Sequence, residues 1–129
     1  MMETLGYFAT SWLDPYLLLL TALGTLAGIS VGAIPGLSVT MATSILISFT
    51  FKWDVNDALA LICGVFVGGV YGGGRTAILL NIPGAPSAIA TAIDGYPLAK
   101  KGQAGEAIGL TTVMSVLGGL LGVCALAVA

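Results

Sequence analysis

The feature that most constrains the fold is the scarcity of charge along three stretches of the chain, residues 15–51, 58–93 and 104–129. A helix needs roughly 20 apolar residues to cross the hydrocarbon core of a bilayer, which is about 30 Å thick. The first two stretches exceed one crossing without comfortably reaching two, so each is expected to hold a spanning helix followed by a shorter or re-entrant piece. Since 57% of the 129 residues are hydrophobic and 8% are charged, the sequence predicts a membrane protein.

The same Pro-Gly step interrupts the first two stretches. Residues 34–45 read IPGLSVTMATSI and residues 82–93 read IPGAPSAIATAI. Proline removes a backbone donor and glycine tolerates a positive φ, so each step should end one helix and let another begin. We therefore predict an all-α integral membrane protein, a multi-span helical bundle with Pro-Gly-broken or re-entrant helices. Its spans or half-spans are expected at about 16–34, 37–51, 58–74, 76–93 and 105–129.

The two breaks are candidates for a binding site. Broken backbone at membrane depth is tolerated only where protein covers it or where it lines a water-filled cavity, and paired breaks are typical of secondary transporters. Amide groups freed at a new helix start suit a carboxylate, and neutral hydroxyl oxygens can bind sodium. Alternatively, the hydroxyls only cap the new helices or bond back to their own turn. The candidate substrate- or ion-binding residues are Pro35, Gly36, Ser38, Thr40, Thr43, Asn81, Pro83, Gly84, Pro86, Ser87 and Thr91.

Arg75 is the one cation inside the apolar stretches. A charge at membrane depth favours a functional role, and a guanidinium has the fork geometry that binds a di- or tricarboxylate. Arg75 is therefore a candidate anion partner. The alternative is that GGGR, residues 72–75, forms a surface turn between two helices, from which Arg75 reaches the lipid headgroups.

Glycines recur every four residues, at positions 24, 28, 32 and 36 and again at 64, 68 and 72. On a helix each series lines one face and lets another backbone approach closely. The faces either pack in an ordinary bundle or border a substrate cavity and slide during transport. A structural or assembly membrane protein, which uses such faces for association and has no substrate site, is the alternative to a transporter, and a pore filtered by the Pro-Gly segments is a third reading.

Several function classes lack the residues that they need. The chain has no His, and Cys63 and Cys124 stand alone in apolar stretches, so neither a metal site nor a disulfide is indicated. Both cysteines are expected to be packing residues. Without an evident acid/base pair or a nucleophile beside a base, no enzyme is indicated. Four cationic residues are too few for a nucleic-acid surface.

Two segments are expected to be water-exposed loops, at residues 51–57 and 94–106. The second contains Lys100 and Lys101, the only paired cations, which favour a cytoplasmic position for it. Within that loop, Asp94 precedes a glycine and a proline, so it is expected to be a turn residue rather than an ion site.

Two runs of the sequence resemble a known family. They are GISVGAIPGLSVTMATSI and GVFVGGVYGGGRTAILLNIPGAPSAIATAIDGYPLAKKGQAGEAIG, and they are similar to the large membrane permease subunit, of the TctA type, of the tripartite tricarboxylate transporter family. The likeness covers most of residues 24–109. The family's glycine-proline motifs fall on Gly32, Pro35 and Gly36 and on Asn81, Pro83, Gly84 and Pro86.

The resemblance implies a multi-pass protein of the bacterial inner membrane, of which residues 1–129 would be the N-terminal part of a larger permease domain. It implies ion-coupled uptake of tricarboxylates such as citrate or related organic acids. A periplasmic solute-binding protein would deliver the acid, and a small membrane subunit would assist. The coupling ion would be sodium or a proton, and no other cofactor is implied.

Overall fold

The structure, a computed structural model, describes residues 6, 10 and 13–128. Over these residues it is helical and contains no strand. Three helices are long and apolar enough to cross a membrane, namely α1 (Pro15–Gly32), α3 (Val55–Leu80) and α5 (Ala104–Val128), so the predicted class of all-α membrane protein is confirmed. Within residues 14–128 the elements are α1 (Pro15–Gly32), α2 (Val39–Thr50), α3 (Val55–Leu80), a 3-10 turn (Pro86–Ala88), α4 (Ile89–Lys100) and α5 (Ala104–Val128).

α1 and α3 pack side by side along their glycines and run parallel to each other. A Cβ atom added to Gly24 would lie 2.6 Å from the carbonyl oxygen of Leu61. The positions that meet advance together along both helices, from Gly24 beside Gly64 to Gly32 beside Gly69. Backbones approach this closely only where side chains are absent, so the glycine series serve helix packing.

α2 brings the chain back to the side from which α1 started. Its 12 residues extend over about 18 Å at 1.5 Å per residue, which is less than a hydrocarbon core of about 30 Å. Because α1 and α3 are parallel, this short helix and its flanking segments still have to reverse the direction of α1. Val39 packs α2 against α3, since a Cβ atom added to Gly69 would lie 2.8 Å from a Val39 methyl group. The first broken segment therefore folds back beside α3.

α3 continues unbroken through residues 72–75. The boundary between spans expected near 74–76 is absent, and so is the alternative of a surface turn at GGGR. Gly72 and Gly73 are contact points instead. A Cβ atom on Gly72 would lie 2.5 Å from the carbonyl oxygen of Ile29, and one on Gly73 would lie 3.1 Å from the α-carbon of Gly84. These contacts outweigh the low helix propensity of glycine, and α3 ends at Leu80.

α4 occupies half of the segment that was expected to be a loop at 94–106. Asp94 lies inside this helix, so its predicted place in a turn is wrong. The cause is a contact between elements: Gly95 packs on α3, where an added Cβ atom would lie 2.7 Å from Cγ1 of Ile78. The connection to α5 shortens to residues 101–103.

α5 exposes most of its length. Ala107 near its start is buried, but large side chains further along face outward, among them Leu121 at 71% and Leu126 at 75% exposure. Cys124 on α5 and Cys63 on α3 are exposed as well. Neither thiol packs inside the described chain, contrary to the expectation from the sequence, and the apolar surface around Cys124 is of the kind that contacts lipid or another protein.

Candidate functional site

The first break is a tight turn between α1 and α2. The N–H of Leu37 donates to the carbonyl oxygen of Ile34 at 3.2 Å, and Gly36 has φ +89°. Proline followed by a residue of positive φ is the pattern of a type II turn. Nothing lies within 4 Å of a Cβ atom placed on Gly36, so conformation alone requires a glycine there.

The second break begins with a left-handed residue at the end of α3. Asn81 has φ 59° and ψ 28°, a conformation that asparagine tolerates better than most residues. Its N–H donates to the carbonyl oxygen of Ala77 at 3.1 Å, and the N–H of Ile82 is directed at that of Thr76 at 3.5 Å. The bond from the Asn81 N–H to the Ala77 carbonyl oxygen is the 5→1 bond of the αL type of helix end. Asn81 therefore terminates α3.

The two breaks meet. Gly84 of the second break packs against the end of α1, where an added Cβ atom would lie 2.9 Å from the carbonyl oxygen of Gly32. Between the breaks lies a cavity of about 290 Å³, which we call the break cavity. It contains five of the predicted site residues. Its lining is Gly36, Leu37 and Ser38 from the first break and Pro83, Gly84, Ala85, Pro86 and Ile89 from the second.

Ser38 is the residue of the first break whose side chain brings a hydroxyl group to the lining of the break cavity. It occupies the N-cap position of α2, yet its side chain does not cap the helix. Its Oγ lies 2.6 Å from Oγ1 of Thr40 in a hydrogen bond. The Thr43 hydroxyl bonds back to its own helix, which is the alternative to a binding role. It donates to the carbonyl oxygens of Val39 and Thr40 at 3.1 and 3.0 Å.

The remaining predicted residues lie elsewhere. Ser87 and Thr91 line a second cavity, of about 640 Å³, which we call the hydroxyl cavity. It lies between α1, α3, α4 and α5, on the face of the 3-10 turn and α4 opposite to the break cavity. The structure places five predicted residues in the lining of neither cavity: Pro35, Thr40, Thr43, Arg75 and Asn81.

Arg75 is connected to the hydroxyl cavity through Tyr71. Its Nη2 donates to the Tyr71 hydroxyl at 2.5 Å, and its guanidinium carbon lies 4.3 Å from the centre of the Tyr71 ring. The Tyr71 hydroxyl in turn lies 2.8 Å from Oγ1 of Thr112 on α5. Tyr71, Thr112 and Ser115 line the cavity.

Tyr71, Thr112 and Ser115 were not predicted as site residues, although the sequence contains signals for them. Tyr71 precedes Arg75 by four positions and so shares its helix face. On α5, polar residues at 111, 112 and 115 recur at helical spacing within an apolar helix.

The part of the chain that the structure describes contains no cluster of charged or sulfur ligands for a metal ion. No three His, Cys, Asp or Glu residues there could hold one ion together. The residues that line the two cavities offer a cation hydroxyl and backbone oxygens, which are ligands suited to sodium.

Fold and site together define a helical membrane protein in which two broken segments share a cavity, an arrangement typical of secondary transporters. The chain belongs to the tripartite tricarboxylate transporter TctA family, whose family model matches residues 18–129. A protein of Agrobacterium vitis described as "Uncharacterized 52.8 kDa protein in TAR-I ttuC' 3'region" is 40% identical over 106 residues, which cover 82% of this chain and 21% of that protein. The chain thus spans about a fifth of the length of this relative. No solved structure matches the present chain.

Proposed function

We propose that the chain is part of the permease subunit of a secondary active, ion-coupled transporter, a symporter that takes up tricarboxylates or related organic acids. Membership in the TctA family supports this function. The partners proposed with it are a small membrane subunit and a periplasmic solute-binding protein. The proposed location is the bacterial inner membrane, with Lys100 and Lys101 on the cytoplasmic side.

The observation that carries the proposal is the meeting of the two breaks at one cavity. The C-terminal ends of α1 and α3 and the N-terminal ends of α2 and α4 flank the break segments. Helix N-termini attract anions, and helix C-termini attract cations. A site built from both kinds of ends suits an acid anion together with a coupling ion.

The test is the thermal stability of the full-length protein in detergent, measured against a panel of di- and tricarboxylates with and without sodium. A ligand that binds only the folded state raises the melting temperature by mass action. The test variant combines Ser38→Ala with Ile89→Phe, which removes a hydroxyl from the break cavity and narrows it from the second break. The matched control combines Ser48→Ala on α2 with Ile93→Phe one turn along α4, since both residues are exposed and outside the cavity.

We expect at least one acid to stabilise the wild type and the control, with the test variant folded but unresponsive. A stabilisation that depends on sodium would identify the coupling ion, and one that depends on pH would favour protons. If no acid stabilises the wild type, the alternative of an assembly protein without a substrate site gains support. An equal response of test and control variants would exclude the break cavity as the site.

A further inference from the structure

We propose that the hydroxyl cavity is an anion site distinct from the break cavity, in which Arg75 supplies the charge and free hydroxyl groups bind carboxylate oxygens. The proposal rests on the proposed function only for the identity of the anion as an organic acid.

The charge of Arg75 is not neutralised within residues 13–128. The contacts of its guanidinium are the Tyr71 hydroxyl and ring, and its Nε is buried without a hydrogen-bond partner. Tyrosine is neutral, so a hydrogen bond and a cation-π contact stabilise the cation without balancing its charge. An unbalanced charge among apolar helices is costly. An anion beside Tyr71 would reduce that cost.

The hydroxyl cavity offers donors for such an anion. Ser87, Thr91 and Ser115 line it, and their hydroxyls make no hydrogen bond to any part of the chain that the structure describes. The hydroxyl of Thr112 already donates to the carbonyl oxygen of Ile108. An ionised carboxylate accepts about four hydrogen bonds, and the three free hydroxyls can donate three of them. Arg75 does not line the cavity itself, but it lies against Tyr71, which does, and so places its charge beside the anion.

The break cavity has a different chemistry. Its lining includes no charged side chain, and Ser38 is its one hydroxyl residue. Ser87 and Thr91 face away from it although they belong to the same 3-10 turn and α4. The second break thus separates a cavity lined mainly by apolar and backbone groups from a cavity lined by several hydroxyls, one of which, that of Tyr71, is in contact with Arg75.

The test measures the charge preference of the cavity without any organic acid. In the full-length protein with Cys63, Cys124 and every other native cysteine replaced by alanine, a single cysteine is introduced by Ser115→Cys, and Ser48→Cys serves as the control. Each thiol is reacted with two methanethiosulfonates, one bearing a sulfonate and one a trimethylammonium group. We expect the ratio of anionic to cationic labelling rates at Ser115→Cys to exceed that at Ser48→Cys on the order of tenfold, as a unit charge several ångström away would produce in water.

Two further pairs of variants assign that preference to Arg75. Arg75→Gln should reduce the ratio to the control value, whereas Arg75→Lys should retain it. If Arg75→Gln does not fold, Gly74→Asp tests the same point, because Gly74 lines the cavity and has open space around an added side chain. The new carboxylate should abolish the preference, and Gly74→Asn, its neutral counterpart, should preserve it.

Equal ratios at the two cysteines would overturn the proposal, and so would a ratio that Arg75→Gln or Gly74→Asp leaves unchanged. A Ser115→Cys thiol that neither reagent reaches would also overturn it, because a dry cavity does not admit an anion. The proposed function fails separately, when no acid stabilises the protein. Protection of the Ser115→Cys thiol by citrate would extend the site to organic acids.

Discussion

At the scale of the residue, the glycines of the two Pro-Gly steps are required for different physical reasons. Gly36 has a positive φ and open space around it, so it is needed for its conformation. Gly84 has no positive φ but approaches the end of α1, so it is needed for its small size. In the second break the positive φ belongs to Asn81 instead. One motif therefore forms two breaks of different geometry.

Replacing Gly36 tests this distinction. Gly36→Ala should destabilise the protein by roughly 1–2 kcal/mol, the cost of the left-handed region for a residue with a Cβ atom. Gly74→Ala is the matched control, since Gly74 is helical and equally free of neighbours; it should be neutral or stabilising by up to about 1 kcal/mol. The measurement is the unfolding midpoint of the full-length protein in detergent. A Gly36→Ala variant as stable as the wild type would refute the turn geometry.

At the scale of the element, the contact between α1 and α3 determines where the other helices lie. It fixes the two helices in parallel, which obliges α2 to reverse the chain and leaves α3 to extend past the end of α1. The second break then folds back until Gly84 reaches Gly32. The break cavity is thus a consequence of helix packing and of the turns together.

This contact predicts the effect of one added methyl group. Gly68→Ala would place a Cβ atom against the carbonyl oxygen of Thr25, so the helices must separate, at a cost of about 1–3 kcal/mol. Gly109→Ala on α5 introduces the same group into open space and should not destabilise. Both can be compared by thermal unfolding. A loss of stability in Gly109→Ala as large as that in Gly68→Ala would point to a general effect of alanine rather than to the interface.

The elements that the sequence predicted well are those whose ends carry a local signal. α1 starts after Asp14, whose side chain accepts from the N–H of Tyr16 at 3.0 Å, and it ends just before the first Pro-Gly step. α3 and α4 were predicted less well because Gly72, Gly73 and Gly95 resemble turn residues until their packing partners are known. The site was also predicted only in part. The two breaks could be located from the sequence, but their contact depends on how α1 and α3 are aligned along each other, which no local sequence pattern contains.

At the scale of the whole molecule, the arrangement determines which loops share a side of the membrane. α1 and α3 start on the same side because they are parallel and their contacts are in register. α3 ends on the opposite side, where α4 and residues 101–103 lead into α5. The loop before α3, at residues 51–54, thus lies across the membrane from the loop that carries Lys101.

Labelling from one side tests this arrangement. In the full-length protein with Cys63, Cys124 and every other native cysteine replaced by alanine, single cysteines introduced by Asp14→Cys or by Asn56→Cys should react with a membrane-impermeant maleimide from the same side. Gln103→Cys should react only from the other side, which the paired lysines predict to be the cytoplasmic side. Inside-out vesicles and intact cells provide the two orientations, and detergent provides the full extent of labelling. Reaction of Asn56→Cys and Gln103→Cys from the same side would rule out the parallel arrangement.

The length of α3 beyond its glycine contact has a mechanical consequence. Eight residues follow Gly72 before the helix ends at Leu80, a projection of about 12 Å. If α3 tilts about its contact with α1, these residues move as a lever arm together with Gly84 and Gly95, which pack on them. A tilt of about 10° there would displace the tip by about 2 Å, and the second break and α4 would swing with it. Small rotations at a rigid pivot can thus widen one cavity while narrowing the other.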